Sequence, residues 1–160
     1  MHLTTPQIIA WLNEVKDPEI PVLSLVDLGV ITHVDAGEDR VKIEMTPTFV
    51  GCPALDFMKA EVEALLKSKG IPDVQVEINY KKAWSSDLIS EKGRAALQKY
   101  GLAPPPSAHV FADLEILEAA VCPRCNHTNT EMKSPFGPTL CRSIYYCLDC
   151  CEAFEQFKPI

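Results

Sequence analysis

The sequence predicts an α+β chain ending in a four-cysteine zinc ribbon, and three observations carry that prediction. Helical and strand-like apolar periods interleave through roughly the first hundred residues. Three consecutive prolines, Pro104-Pro105-Pro106, then interrupt the chain. Beyond them stand two Cys-x-x-Cys pairs, Cys122-Pro-Arg-Cys125 and Cys147-Leu-Asp-Cys150, with 21 residues between. A thiolate pair two residues apart can grip one tetrahedral ion from a tight turn, and a second pair returning from a hairpin completes the set.

Thr5-Pro6 reads as a helix start, because Thr can cap free amides and Pro has no amide to lose at the first helical position. Ile8, Ile9, Leu12 and Val15 form one helical stripe that ends near Asp17-Pro18. Leu28–Val34 and Val41–Met45 read as strands, joined by the turn formers Asp35-Ala-Gly-Glu-Asp-Arg40 into an antiparallel hairpin. Thr46-Pro-Thr-Phe-Val-Gly-Cys52-Pro53 leads to a second helix through Leu55, Met58, Val62, Leu65 and Leu66, which Gly70 and Pro72 stop. Val74, Val76, Ile78 and Tyr80 alternate with polar residues as a third strand, and a shorter helix is predicted over Ser90–Tyr100. Gly101–Ser107, with its prolines, is a stiff linker. The domains expected are 1–103, a linker and lead-in over 104–118, and a ribbon over 119–160 with strands near Glu115–Val121, Glu131–Ser134 and Arg142–Tyr146.

A ribbon of about 40 residues buries too little surface to fold alone, so metal ligation is expected to supply much of its folding free energy. The predicted ligands are Cys122, Cys125, Cys147 and Cys150. Zinc is the default ion, because structural four-cysteine sites are most often zinc, although the same thiolates could hold a single iron or an iron–sulfur cluster. Cys141 is a further thiol, either a spare ligand, a redox-active group or a small core residue. Cys151 adjoins a ligand and points elsewhere, and His127 reads as a solvated turn residue.

Cys52 differs from these. It follows Gly51 and sits where the second helix begins, so unpaired amides and the helix dipole are expected to lower its pKa. Such a thiol is either reactive or metal-binding, or an indifferent cap. The acidic loop Asp17-Pro-Glu19-Ile-Pro21, with Asp27 beyond it, offers hard oxygen ligands or hydrogen bonds to that site, or simply caps and surface charge.

Charge and motifs exclude several classes. The formal net charge is -7, all of it before residue 119: 11 Lys and Arg stand against 18 Asp and Glu there, and 4 against 4 beyond. Neither part is built to neutralise phosphates, so no nucleic-acid partner is expected, and a nucleic-acid-binding zinc ribbon is the least favoured reading of the chain. No basic leader or stretch of about 18 apolar residues occurs, so a cytoplasmic protein with no membrane partner is expected. No hydrolase triad, P-loop or dinucleotide fingerprint is present, and no independent catalytic activity is expected.

Taken together, Asp17-Pro-Glu-Ile-Pro21, Leu25-Val-Asp-Leu-Gly-Val-Ile31 and Thr48-Phe-Val-Gly-Cys52-Pro53 resemble the iron–sulfur assembly-factor domain of SufT-like proteins. Ala83-Trp-Ser-Ser-Asp87, Ser90-Glu-Lys-Gly-Arg94 and the ribbon resemble the PaaD family of bacterial phenylacetate degradation. The resemblance implies a small two-layer domain of helices packed on a mixed β-sheet, followed by the ribbon. It implies an accessory or maturation factor for the multicomponent phenylacetyl-CoA ring epoxidase, or alternatively a stoichiometric non-catalytic or electron-transfer subunit of that oxygenase. The implied partners are the oxygenase subunits, its iron–sulfur reductase subunit above all, and the iron–sulfur assembly machinery. Cys52 matches the cysteine of the assembly motif, with Asp17 and Glu19 in its acidic loop, and would hold iron or a transient iron–sulfur cluster. One thiolate is an incomplete cluster site. A homodimer, a client cysteine or Cys141 would complete it. At position 151 the family pattern has a small residue where this chain has cysteine.

Overall fold

In the computed structural model, which describes residues 3–106 and 120–159, an α+β assembly forms at the N-terminal side and a four-stranded ribbon at the C-terminal side. Helix α1 (Thr5–Leu12) carries Pro6 in its first turn as expected, but its cap is Thr4, whose carbonyl accepts the amides of Gln7 and Ile8 at 3.0 and 3.1 Å. The helix ends a turn earlier than the apolar stripe suggests. The Asn13 side chain bonds back to the Ile9 carbonyl at 2.9 Å, and Val15, still buried, already follows a tighter turn.

Strand β1 (Ile31–Ala36) also begins later than expected. Residues 25–29 form turns, and Gly29 takes φ 76°, a left-handed conformation that ends any strand running back to Leu28. A Cβ there would lie 2.5 Å from the Leu88 Cβ, so glycine is also a steric requirement. Strand β2 (Arg40–Met45) pairs antiparallel with β1, and strand β3 (Asp73–Ile78) pairs parallel with β2. The sheet is therefore mixed, in the order β1-β2-β3. A parallel pair needs a crossover, and helix α2 (Leu55–Ser68) provides it. Ile8 and Leu12 of α1 and Leu55, Met58, Val62 and Leu66 of α2 bury against the sheet face formed by Val41, Ile43, Met45 and Val76. Strand residues of one parity share that face because successive side chains alternate.

Asp27 ties the turn after the acidic loop to the third helix. Its Oδ2 accepts the Ser24 hydroxyl at 2.8 Å, and its Oδ1 accepts the Ser90 hydroxyl at 2.7 Å. Ser90 caps helix α3 (Glu91–Tyr100) by accepting the Gly93 amide.

Contacts divide the chain into two compact units, Met1–Trp84 with Leu88–Gly93, and Ser85–Asp87 with Arg94–Ile160. In the second unit the expected linker contains a short strand, β4 (Leu102–Ala103), parallel to the strand β7 (Glu152–Phe157). Arg94 holds this stretch, donating to the carbonyls of Pro105 and Ser86. Strands β5 (Thr130–Ser134) and β6 (Arg142–Cys147) complete the order β4-β7-β6-β5. β5 and β6 lie within a residue of their expected positions. The strand expected over 115–121 lies outside the described residues except for Ala120 and Val121, which are not in a strand. β7 was not expected, because Phe154, Gln156 and Phe157 are all buried and the segment lacks strict alternation. Tyr145 and Phe154 stack with ring centroids 5.7 Å apart and pack with Ala103, Ala120, Cys122 and Cys147.

Candidate metal centre and the Cys52 loop

The two knuckles bring Cys122, Cys125, Cys147 and Cys150 together, with all four Sγ atoms within 4.8 Å of one another. Cys122 and Cys150 stand 3.7 Å apart, and Cys125 and Cys147 stand 3.5 Å apart. Ligands at about 2.3 Å around a tetrahedral zinc lie about 3.8 Å from each other, whereas a disulfide requires about 2.05 Å. The cluster thus has the spacing of ligands around one ion, and the soft donor set suits zinc. The four sulfurs could hold that ion as a closed structural site.

Local backbone builds each knuckle. The residue after each second cysteine adopts a left-handed conformation, Asn126 at φ 62° and Cys151 at φ 57°. That kink turns the amides toward the sulfurs, and the Asn126 amide donates to the Cys122 carbonyl at 2.9 Å. The Cys150 amide, against the effect of burial and with help from the Asp149 amide, lowers the Cys147 thiol to about 7. Cys150 is pushed up to about 12 by burial and by its neighbours Cys147 and Cys122. A dication that replaces the shared protons removes this conflict, so ligation releases protons and weakens as pH falls.

Polar residues that sequence reasoning did not single out brace the second knuckle. Asp149 accepts the Asn129 amide at 2.9 Å through Oδ1, and its Oδ2 lies 2.9 Å from His127 Nδ1. The signal available was position: Asp149 lies inside the second Cys-x-x-Cys pair. His127 is exposed, as expected of a turn residue, but it has this partner.

Cys141 is apart from the four-sulfur group. It is buried, with its Sγ 3.1 Å from the Thr139 hydroxyl. Cys151 is exposed and also outside the group, with its thiol 3.8 Å from the Leu148 carbonyl.

In the N-terminal unit Cys52 lies half-buried in the loop before α2, after Gly51 at φ 82°. The expectation of a lowered pKa is overturned. Burial pushes the Cys52 thiol up, and the Glu19 and Asp17 carboxylates push it further, against the amides of Ala54 and Leu55. α2 begins at Leu55, beyond Cys52, and the dipole effect fades within a turn. Of the acidic residues expected at this site, Asp17 and Glu19 act on the Cys52 thiol through their charge. Asp17 also shapes its own loop, because Oδ1 accepts the amides of Glu19 and Ile20 at 2.8 and 2.9 Å. Asp27 is engaged elsewhere, by Ser24, Ser90 and Lys92. Among the described residues Cys52, Asp17 and Glu19 do not converge into a closed ligand set.

Two family descriptions match the chain. "Iron-sulfur cluster assembly protein" covers residues 5–78, which include Asp17, Glu19 and Cys52. "PaaD zinc beta ribbon domain" covers residues 106–158, which include all four clustered cysteines. The chain is 36% identical over 156 residues to the D component of the "Putative 1,2-phenylacetyl-CoA epoxidase" of Escherichia coli K12, covering 96% of this chain and 92% of that protein. It is 38% identical over 96 residues to an "Fe-S protein maturation auxiliary factor" of Porphyromonas gingivalis, covering 59% of this chain and 90% of that one. Among solved structures, a domain of unknown function from Bacillus anthracis superposes with a TM-score of 0.54 at 28% identity, over 57% of this chain and 89% of that one. No helix among the described residues is long and apolar enough to cross a membrane. With an iron–sulfur assembly domain followed by a four-cysteine ribbon, and a relative that matches along nearly its whole length, the chain belongs to the PaaD family.

Proposed function

We propose that this protein is a maturation factor for an iron–sulfur or metal centre of the phenylacetyl-CoA ring epoxidase, with Cys52 as the thiol that holds and passes on the metal unit. The observation that carries the reading is the pairing within one chain: an iron–sulfur assembly domain containing Cys52, and similarity along nearly the whole length to an epoxidase component. The raised pKa of Cys52 supports a transient role. A thiol that keeps its proton at neutral pH binds only when a cation displaces that proton, and it regains the proton on release. The incomplete ligand set at Cys52 supports transfer over storage, because further donors must come from outside it. The ribbon holds structural zinc and docks the protein on its client, the epoxidase's iron–sulfur reductase subunit.

Cys52→Ser tests this in cells that make the epoxidase. The expected result is an unchanged fold and zinc content in this protein, with iron and sulfide lost from the reductase subunit. A fully loaded, active reductase alongside the Ser variant overturns the proposal. A second reading, as a stoichiometric or electron-transfer subunit, rests on the name of the Escherichia coli relative. Anaerobic purification separates the two: fixed stoichiometry in the complex and iron in the ribbon favour the subunit, whereas colourless zinc protein that dissociates favours the maturation factor.

A further inference from the structure

We propose that the four-cysteine centre is also an oxidation site for hydroperoxides, on which the sulfurs couple across the two knuckles, Cys125 to Cys147 and Cys150 to Cys122, and release the metal. Each of the two cross-knuckle contacts, at 3.5 and 3.7 Å, joins a half-buried cysteine to a buried one. Cys125 and Cys150 are partly exposed, whereas Cys122 and Cys147 are 0% exposed. A peroxide therefore meets one sulfur of each pair, and the resolving sulfur already stands behind it. Ligated cysteines are thiolates, the reactive form.

The electrons balance without a further partner. The accessible thiolate attacks the peroxide, whose O–O bond breaks, giving a sulfenic acid and hydroxide. The buried thiolate then attacks that sulfur, the disulfide forms, and a second hydroxide leaves. Two peroxides convert the four thiolates into two disulfides, and the metal departs as a free dication because no thiolate remains to hold it. Coupling across the knuckles asks the sulfurs of each pair to close on each other by about 1.5 Å, toward ordinary disulfide length, while each turn keeps its Asn126 or Cys151 kink. The cross-links take over the metal's role of joining the first knuckle to the second, so the ribbon keeps its strand order after the ion has gone. This inference rests on the four-sulfur geometry and is independent of the role given to Cys52.

The test uses the zinc-loaded full chain carrying Cys151→Ser, which removes the exposed neighbour of Cys150. Hydrogen peroxide is added, zinc release is followed with a chromogenic chelator, and the protein is digested without reduction. Arg124 lies between Cys122 and Cys125 and Asp149 between Cys147 and Cys150, so cleavage after arginine and before aspartate places the four cysteines on separate peptides. The expected result is stoichiometric zinc release, linked peptides 125–147 and 122–150, and recovery of zinc binding after a dithiol reductant. Pairs within a knuckle, 122–125 and 147–150, overturn the proposal. So does zinc retained through complete oxidation, or sulfinic acid at Cys125 and Cys150 with no disulfide.

Discussion

Cys151 occupies a backbone position better suited to glycine. At φ 57° its Cβ crowds the following carbonyl, a cost of about 1–2 kcal/mol for an L-residue. Its counterpart in the first knuckle is Asn126, a residue type that tolerates this region, and Gln98 bonds its side chain at 2.8 Å. Cys151→Gly is therefore expected to stabilise the zinc-loaded protein by about 0.5–1 kcal/mol after glycine's own entropy cost, measured by denaturant titration. A destabilised variant would show that the exposed thiol contributes a contact worth more than the kink costs. Asp27 gives a second prediction at this scale. Burial alone would raise its carboxyl pKa, but bonds from Ser90 and Ser24 and the Lys92 ammonium outweigh burial and leave it below the usual value. The unfolded chain therefore binds a proton at Asp27 more readily than the folded one. The resulting stability is present above the unfolded pKa of about 3.9 and is lost as pH falls through the folded value. Asp27→Asn is expected to flatten the acid limb of the stability profile, and a profile of unchanged slope would remove Asp27 from that role. The chemistry of the ribbon was readable residue by residue, because Cys-x-x-Cys spacing encodes the ligand geometry within four positions. The state of Cys52 was not readable. Its pKa is set by burial and by two carboxylates from a loop distant in sequence, which no local pattern reports.

At the scale of elements, α2, β2, β3 and the antiparallel pair β5–β6 could be read from apolar period and turn chemistry, whereas β1, β4 and β7 show where that reading stops. The start of β1 depends on Gly29, and what fixes Gly29 is the Leu88 backbone, 2.6 Å from where a Cβ would stand. Gly29→Ala combines left-handed strain with this overlap, so a loss of about 2–4 kcal/mol is expected in thermal or denaturant unfolding. A loss under about 1 kcal/mol, the strain cost alone, would mean that the turn after the acidic loop moves freely. β4 has two residues, too few to carry any period, and exists because β7 offers a parallel edge. β7 opens on the exposed Glu152 and Ala153 and closes on Gln156 and Phe157, both buried, so no period of two runs through it.

Across the whole molecule, the two units are stabilised by different means. The N-terminal unit has an apolar core drawn from two helices and a sheet, with Ile8, Leu12, Val41, Ile43, Met45, Val62 and Leu66 all 0% exposed. In the ribbon two of the residues packed with Tyr145 and Phe154 are themselves clustered cysteines, Cys122 and Cys147, so core and metal site coincide. Chelation is expected to separate the two. Amide exchange of β5, β6 and β7 rises toward the unprotected rate on zinc removal, while α2 and β3 keep their protection, as hydrogen exchange with mass spectrometry would show. Equal loss in both units would mean that the N-terminal core depends on the ion.

The position of β7 has a consequence for biosynthesis. It follows both knuckles in the chain yet lies between β4 and β6, with Leu102 and Ala103 paired to Glu155 and Gln156. As the polypeptide leaves the ribosome, all four thiols emerge before the strand that links β4 to β6. Only Cys151 separates Cys150 from β7, so the second pair of thiols and that strand become available together, and ion capture and closure of the sheet form one late step.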